Sequence, residues 1–208
     1  MHWWYVAVTI VSMSTALNGL PDTFTTGTAR GRGVHPRDLY AWRDAGAVVE
    51  LSRGVFRRAD AAAPSWPDLL AVAYRAPRAI VCCVSAAVVH GLTDEMPGAV
   101  QIAVAARSHP PRIEYPPTSV FRFEEATFEI GVSQVDAAPG EPVRIYDAAR
   151  TVVDLIRLRH RLGEPIAFGA LNRYLRAGGA RTGLLLEYAE RLDAFGPVAR
   201  ALDVANAS

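Results

Sequence analysis

The stretch from His35 to Arg58 constrains this chain most, because there the apolar spacing changes from helical to extended within a few residues. His35 can cap a helix, with Pro36 at the first helical position and Asp38 near the positive end of the helix dipole. Leu39 and Trp42, three positions apart, share one face. The helix runs through Asp44 and stops at Gly46. Two β-prone runs follow, Ala47 to Leu51 and Val55 to Arg58, joined by Ser52-Arg53-Gly54, and they read as a hairpin. Upstream, Thr25 and Thr26 are N-cap candidates for a short helix ending near Arg30, and Gly31 and Gly33 supply a tight turn. An earlier helix is expected over residues 6–18, ended by Asn18-Gly19 with Pro21 beyond. Helix, helix, turn, helix and hairpin is the order of a winged helix-turn-helix.

That order gives particular side chains a nucleic-acid role. The N-terminal residues of a recognition helix meet base edges in the major groove, so Arg37 is the candidate for a guanine contact, with Tyr40 and Arg43 on the same helix. The hydroxyls of Thr26 and Thr28 can reach phosphate, Arg30 and Arg32 flank the turn, and Arg53 sits at the wing tip. Arg57 and Arg58 lie on the returning strand of the wing. Residues 1–60 carry 7 Arg against 5 acids, and residues 61–208 carry 15 against 16. The asymmetry has the sign DNA requires but is too small to decide between DNA and a protein partner for such a fold.

Composition excludes several chemistries. All 22 basic residues are Arg and none is Lys. A phosphate-binding Walker lysine, the strand lysine of an ordinary protein kinase and a Schiff-base lysine are therefore absent. Cys82 and Cys83 are adjacent, with no ligand spacing around them, so neither a structural disulfide nor a metal site is expected. These cysteines and the lack of a basic secretion signal suggest a cytoplasmic protein. Trp3 to Met13 is apolar but only eleven residues long, against about 20 needed to cross a bilayer, so no membrane contact is expected. Met1 and Met13 both stand as candidate start residues.

Beyond a linker at residues 59–67, a helix is expected at 66–76 and a short strand from Ala79 to Cys83. Ser85 is read as the cap of a helix from Ala86 to His90. Strands follow at 99–105, 119–124, 127–135 and 142–146, and helices at 147–161, 164–177, 181–193 and 195–205. The fold class is α+β: an N-terminal winged helix-turn-helix over residues 1–60, then a mixed α/β domain over 61–208 ending in a helical segment. Ser85 and His90, five positions apart, diverge too far to act as a nucleophile and base.

The helix at 147–161 carries a polar stripe, Asp147, Arg150, Asp154, Arg157 and Arg161. Three readings fit it. The first is a salt-bridged solvent face, the second a surface for a partner or a phosphate, and the third a catalytic site. In the third, Asp147 or Asp154 is a base or metal ligand and Arg150 holds a phosphate, which would make the chain an atypical serine kinase using ATP and Mg. Without that chemistry no cofactor is expected.

Three segments in order resemble the AbiEi family of antitoxins, and in particular its mycobacterial MenA-like members: "FTTGTARGRGVHPRDLYAWRDAGAVVELSRGVFRRAD", "AIVCCVSAAVVHGLTDEMPGAVQIAV" and "PVRIYDAARTVVDLIRLRHRLG". The resemblance spans about residues 20–178. It implies a bacterial toxin-antitoxin system in which the protein represses its own operon through operator DNA, as a homodimer on that DNA, and neutralises a nucleotidyltransferase-like toxin. Residues 61–208 would then be the antitoxin domain. Neutralisation can run by sequestration or by kinase-type modification of the toxin. A transcription regulator whose second domain senses a ligand is the remaining alternative.

Overall fold

The computed structural model describes residues 16–206. The helix expected over 6–18 lies outside the described residues except at 16–18, which are helical. Helix α1 (Thr26–Gly31) opens where the Thr25 hydroxyl accepts from the Thr28 N–H at 3.1 Å. Helix α2 (Pro36–Asp44) opens where His35 Nδ1 accepts from the Arg37 N–H at 3.1 Å. Both caps satisfy backbone donors that a helix leaves unpaired at its start. Gly46, at φ 72°, turns the chain out of α2.

The wing is larger than the sequence suggests. Strands β2 (Val48–Ser52) and β3 (Val55–Arg58) form the expected hairpin, and β1 (Thr23–Thr25) adds a third strand, giving the order β1-β3-β2. Strand β3 is therefore central. Its Phe56 joins Phe24, Ala29, Leu39, Trp42 and Val48 in the core beneath the helices. Val55 and Arg57, one position to either side, point to the opposite face.

The remainder is built on a five-stranded mixed sheet of order β6-β5-β4-β8-β7: β4 (Ile80–Val81), β5 (Val100–Ala105), β6 (Thr118–Phe123), β7 (Val132–Ala138) and β8 (Glu141–Tyr146). The β4–β8 and β5–β6 pairs are parallel, and β4–β5 and β7–β8 are antiparallel. Val81, Ile102, Val143 and Ile145 face helix α3 (Pro67–Arg75) through Leu69, Leu70 and Val72. Ile80, Ala103, Phe121, Phe123 and Tyr146 face the other way. Over that face lie α4 (Cys83–Val89) and α6 (Ala148–Arg157), backed by α8 (Glu164–Arg176), α9 (Thr182–Arg191) and α10 (Phe195–Asn206). The short helices α5 (Glu125–Phe128) and α7 (Arg159–Leu162) complete the set.

Three expectations are corrected. Helix α4 starts at Cys83, before Ser85, and Cys83 enters it at φ 51°. The buried Ser85 hydroxyl accepts from the Gln101 N–H at 2.9 Å, tying α4 to β5 instead of capping a helix. The strand expected at 127–135 begins at Val132, because residues 125–128 form α5 and Gly131, at φ 72°, reverses the chain. The single helix expected at 147–161 breaks at Leu158 into α6 and α7.

Candidate nucleic-acid interface

The winged unit places its arginines in two populations. Arg30, Arg32, Arg37 and Arg53 are exposed and form no ion pair among the described residues. They sit at the end of α1, in the turn after it, in the first turn of α2 and at the hairpin tip. Thr26 ties two of these regions together: its N–H donates to the Gly54 carbonyl at 2.9 Å and its hydroxyl to the same oxygen at 3.4 Å. The Thr28 hydroxyl lies 3.1 Å from that of Thr25. Both threonines, proposed from sequence for phosphate, thus serve first to fix α1 against the wing.

Arg43 and Tyr40 are more engaged than the sequence suggests. Arg43 pairs with Asp44 at 3.0 Å and with Glu50 at 2.9 Å, and its guanidinium stacks 5.0 Å from the Tyr40 ring centre. Tyr40 is 46% exposed, and its ring meets the edge of Phe56. Together the two residues brace α2 against β2 and β3.

Arg57 requires the largest correction. The sequence places it on the DNA side of the wing, yet it is only 4% exposed. Its guanidinium donates at 2.5 Å to the Thr23 hydroxyl, to Glu141 of β8 and to the Ala62 carbonyl. The Tyr74 hydroxyl of α3 lies 3.0 Å from the Thr23 carbonyl and 3.1 Å from Glu141. Burial, reinforced by the Glu141 carboxylate, pushes the Tyr74 phenol up to about 12. Both edges of β3 are paired and its back is covered by the second sheet, so a side chain there has no route to DNA. A two-stranded reading of the wing leaves that face wet, which is why sequence alone misplaces Arg57.

The polar stripe of α6 also lies elsewhere than its spacing suggests. Asp147 caps the helix, accepting from the Arg150 N–H at 2.8 Å and from the Tyr188 hydroxyl at 3.0 Å. Arg150 and Asp154 are 0% exposed and paired at 2.9 Å. Arg150 also donates to the Thr127 and Ile130 carbonyls, at 2.9 and 2.7 Å, and lies 4.2 Å from the Tyr146 ring centre. Burial raises the Asp154 carboxyl above its ordinary range while Arg150 and Arg157 draw it back. The solvent-face reading is therefore wrong for the middle of the stripe. A phosphate cannot reach Arg150 or Asp154 in this arrangement, and their geometry is that of an interior anchor joining α6 to the α5–β7 turn. Arg157 and Arg161 reach the surface, stacked on Phe123 and Phe121 at 4.9 and 4.2 Å.

His90 ends α4 with Nε2 2.7 Å from the Tyr146 carbonyl, so it and Ser85 have separate partners. Cys82 and Cys83 are buried free thiols. Among the described residues no helix is long and apolar enough to cross a membrane.

No curated protein matches the chain. Its fold is shared by the crystal structure of the RV2827C protein from Mycobacterium tuberculosis, with a TM-score of 0.58 at 15% identity over 94% of this chain and 79% of that one. A family model described as "Transcriptional regulator, AbiEi antitoxin" matches residues 16–69, which hold the three-stranded wing, α1, α2 and the start of α3. Over that segment the chain is similar to the AbiEi antitoxin family of transcriptional regulators.

Proposed function

We infer that this chain is the DNA-binding antitoxin of a bacterial toxin-antitoxin pair. It represses its own operon through the winged unit, as a pair of copies on repeated half-sites, and neutralises a nucleotidyltransferase-like toxin through the second domain. One observation carries the DNA half. Four exposed arginines without acidic partners occupy the turn, the recognition helix and the wing tip of a segment that matches a transcriptional-regulator family. Arginine at these places suits bidentate contact with guanine and with phosphate. The antitoxin half rests on the same family match. Because Arg150 and Asp154 are sealed, neutralisation by binding fits the structure better than phosphotransfer through them.

The test has two arms. In a fluorescence anisotropy titration on the upstream DNA, Arg37→Ala should lose sequence preference by about 1–3 kcal/mol, the range of one bidentate base contact. Unchanged affinity and preference in both Arg37→Ala and Arg53→Ala would refute the placement. For the second arm, a neighbouring nucleotidyltransferase-like reading frame is expressed with and without this chain. Growth arrest that the chain does not relieve would remove the antitoxin half.

A further inference from the structure

Opposite charges line one cleft of the second domain without pairing. The cleft, about 530 Å³, lies where β6 runs into α5 and where α6 and α9 end, with Arg122, Arg157 and Arg191 on its walls beside Glu124 and Asp193. Arg157 is anchored there. It stacks on Phe123 at 4.9 Å, pairs at 3.0 Å with the sealed carboxylate of Asp154, and keeps a buried Nε without a hydrogen-bond partner. Asp154 already holds Arg150, so two guanidiniums share one carboxylate and positive charge is left over. Arg122 is exposed, and its guanidinium bonds to the Ser108 carbonyl alone, at 3.3 Å. The Glu124 and Asp193 carboxylates are exposed too, and neither makes a hydrogen bond or ion pair among the described residues. Asp193 follows the end of α9 in the left-handed backbone, at φ 52°. The C-terminal ends of α6 and α9 add partial negative charge at the same place.

A ligand of one charge meets both signs here. An anion faces Glu124, Asp193 and two helix ends, and a cation faces three guanidiniums. A molecule that carries both charges close together satisfies the two sets at once. The geometry points to this cleft as a binding site for a free α-amino acid. Its carboxylate meets the guanidiniums of Arg122 and Arg157, whose forked donors match a carboxylate. Its ammonium meets the carboxylate of Asp193 and the last carbonyls of α9. Leu158 and Leu192, beside Phe123, offer apolar surface, so the favoured side chain is apolar. The volume is that of a small-molecule site, for which about 300–1,000 Å³ is usual. The cleft lies outside the winged unit and outside residues 16–69, so it goes beyond the DNA and antitoxin readings and stands or falls apart from them.

The test is isothermal titration calorimetry of the full chain with three probes: leucine, N-acetylleucine, which lacks the ammonium, and leucinamide, which lacks the carboxylate. Leucine should bind, and each blocked form should bind about tenfold more weakly or worse, the loss of one charge-assisted contact. Arg122→Gln and Asp193→Asn should each weaken leucine by about the same factor. Asn accepts the left-handed backbone at 193, and both side chains are exposed, so urea midpoints should stay at the wild-type value. Arg200→Gln, on α10 and outside the cleft, should match wild type. Equal binding of N-acetylleucine would make this a site for anions, and equal binding of leucinamide a site for cations, and either result overturns the proposal. So does wild-type protein that binds no leucine, wild-type affinity in either cleft variant, or an equal loss in Arg200→Gln.

Discussion

Gly131 reports on how closely the α5–β7 turn is pressed against α6. A Cβ added there would lie 2.6 Å from Arg150 Cβ and 3.1 Å from a Tyr188 ring carbon, with the backbone at φ 72°. Two costs follow for Gly131→Ala. The left-handed backbone costs an L residue about 1–2 kcal/mol. Forcing a methyl against a Cβ fixed to its own helix costs about 1–3 kcal/mol more, since the interior is close-packed. Gly140, between β7 and β8, is an internal control: its φ is 71°, and an added Cβ there meets nothing within 4 Å. Gly140→Ala should therefore show only the backbone cost. The lowered unfolded-state entropy of an added Ala, about 0.4–1 kcal/mol in favour of folding, applies to both and cancels in the comparison. The assay is urea unfolding of the full chain followed by far-UV circular dichroism, with Gly131→Ala expected about 1–3 kcal/mol less stable than Gly140→Ala. Equal midpoints would show that the turn moves aside freely and that Arg150 is not held as tightly as described.

Arg150→Met removes the sealed partner of Asp154 and leaves that carboxylate to Arg157 alone, at 3.0 Å, so a loss of about 3 kcal/mol, the lower end for a broken buried pair, is expected by the same assay. The double variant Arg150→Met/Asp154→Leu should recover much of it. Arg57→Ala should destabilise less than the about 3–5 kcal/mol of a sealed pair, because Glu141 keeps some water, and should raise protease sensitivity around residues 59–66. Tyr74 titrates at about 12 in the folded chain, against about 10 when unfolded. The folded state holds that proton more tightly, so the contribution is complete below pH 10 and is lost as pH rises towards 12. The stability difference between wild type and Tyr74→Phe, read from urea midpoints, should shrink over that window, and a constant difference would refute it. Arg43→Ala should weaken operator binding less than Arg37→Ala in the anisotropy assay, because the Arg43 guanidinium is already paired with Asp44 and Glu50.

The winged unit was legible because its signals are local. The His35 cap, Pro36, the Leu39–Trp42 spacing and the glycines at 46 and 54 each act within a few residues, and all stand where the sequence puts them. Strand β1 was missed because three residues of Thr-Phe-Thr give no period, and only pairing with β3 makes them a strand. Arg57 was misplaced for the same reason, since what covers the back of β3 comes from Glu141, 84 positions later. In α6 the i, i+4 charges look like a wet stripe. Nothing local indicates that Phe123, Tyr146 and the carbonyls of α5 and its following turn converge to seal Arg150 and Asp154.

The covered back of the wing ties the lifetime of one half of the molecule to that of the other. Arg57, Val55 and Leu51 are shielded on the side facing α3 and β8, so unfolding the second sheet would bare a charged and apolar strip on the three-stranded wing. A protease that cuts the second domain then leaves behind an N-terminal remnant with an exposed strand face, prone to cleavage or aggregation in its turn. The two halves should disappear from a cell with one half-life, and no long-lived DNA-reading fragment should outlast the domain that supports it.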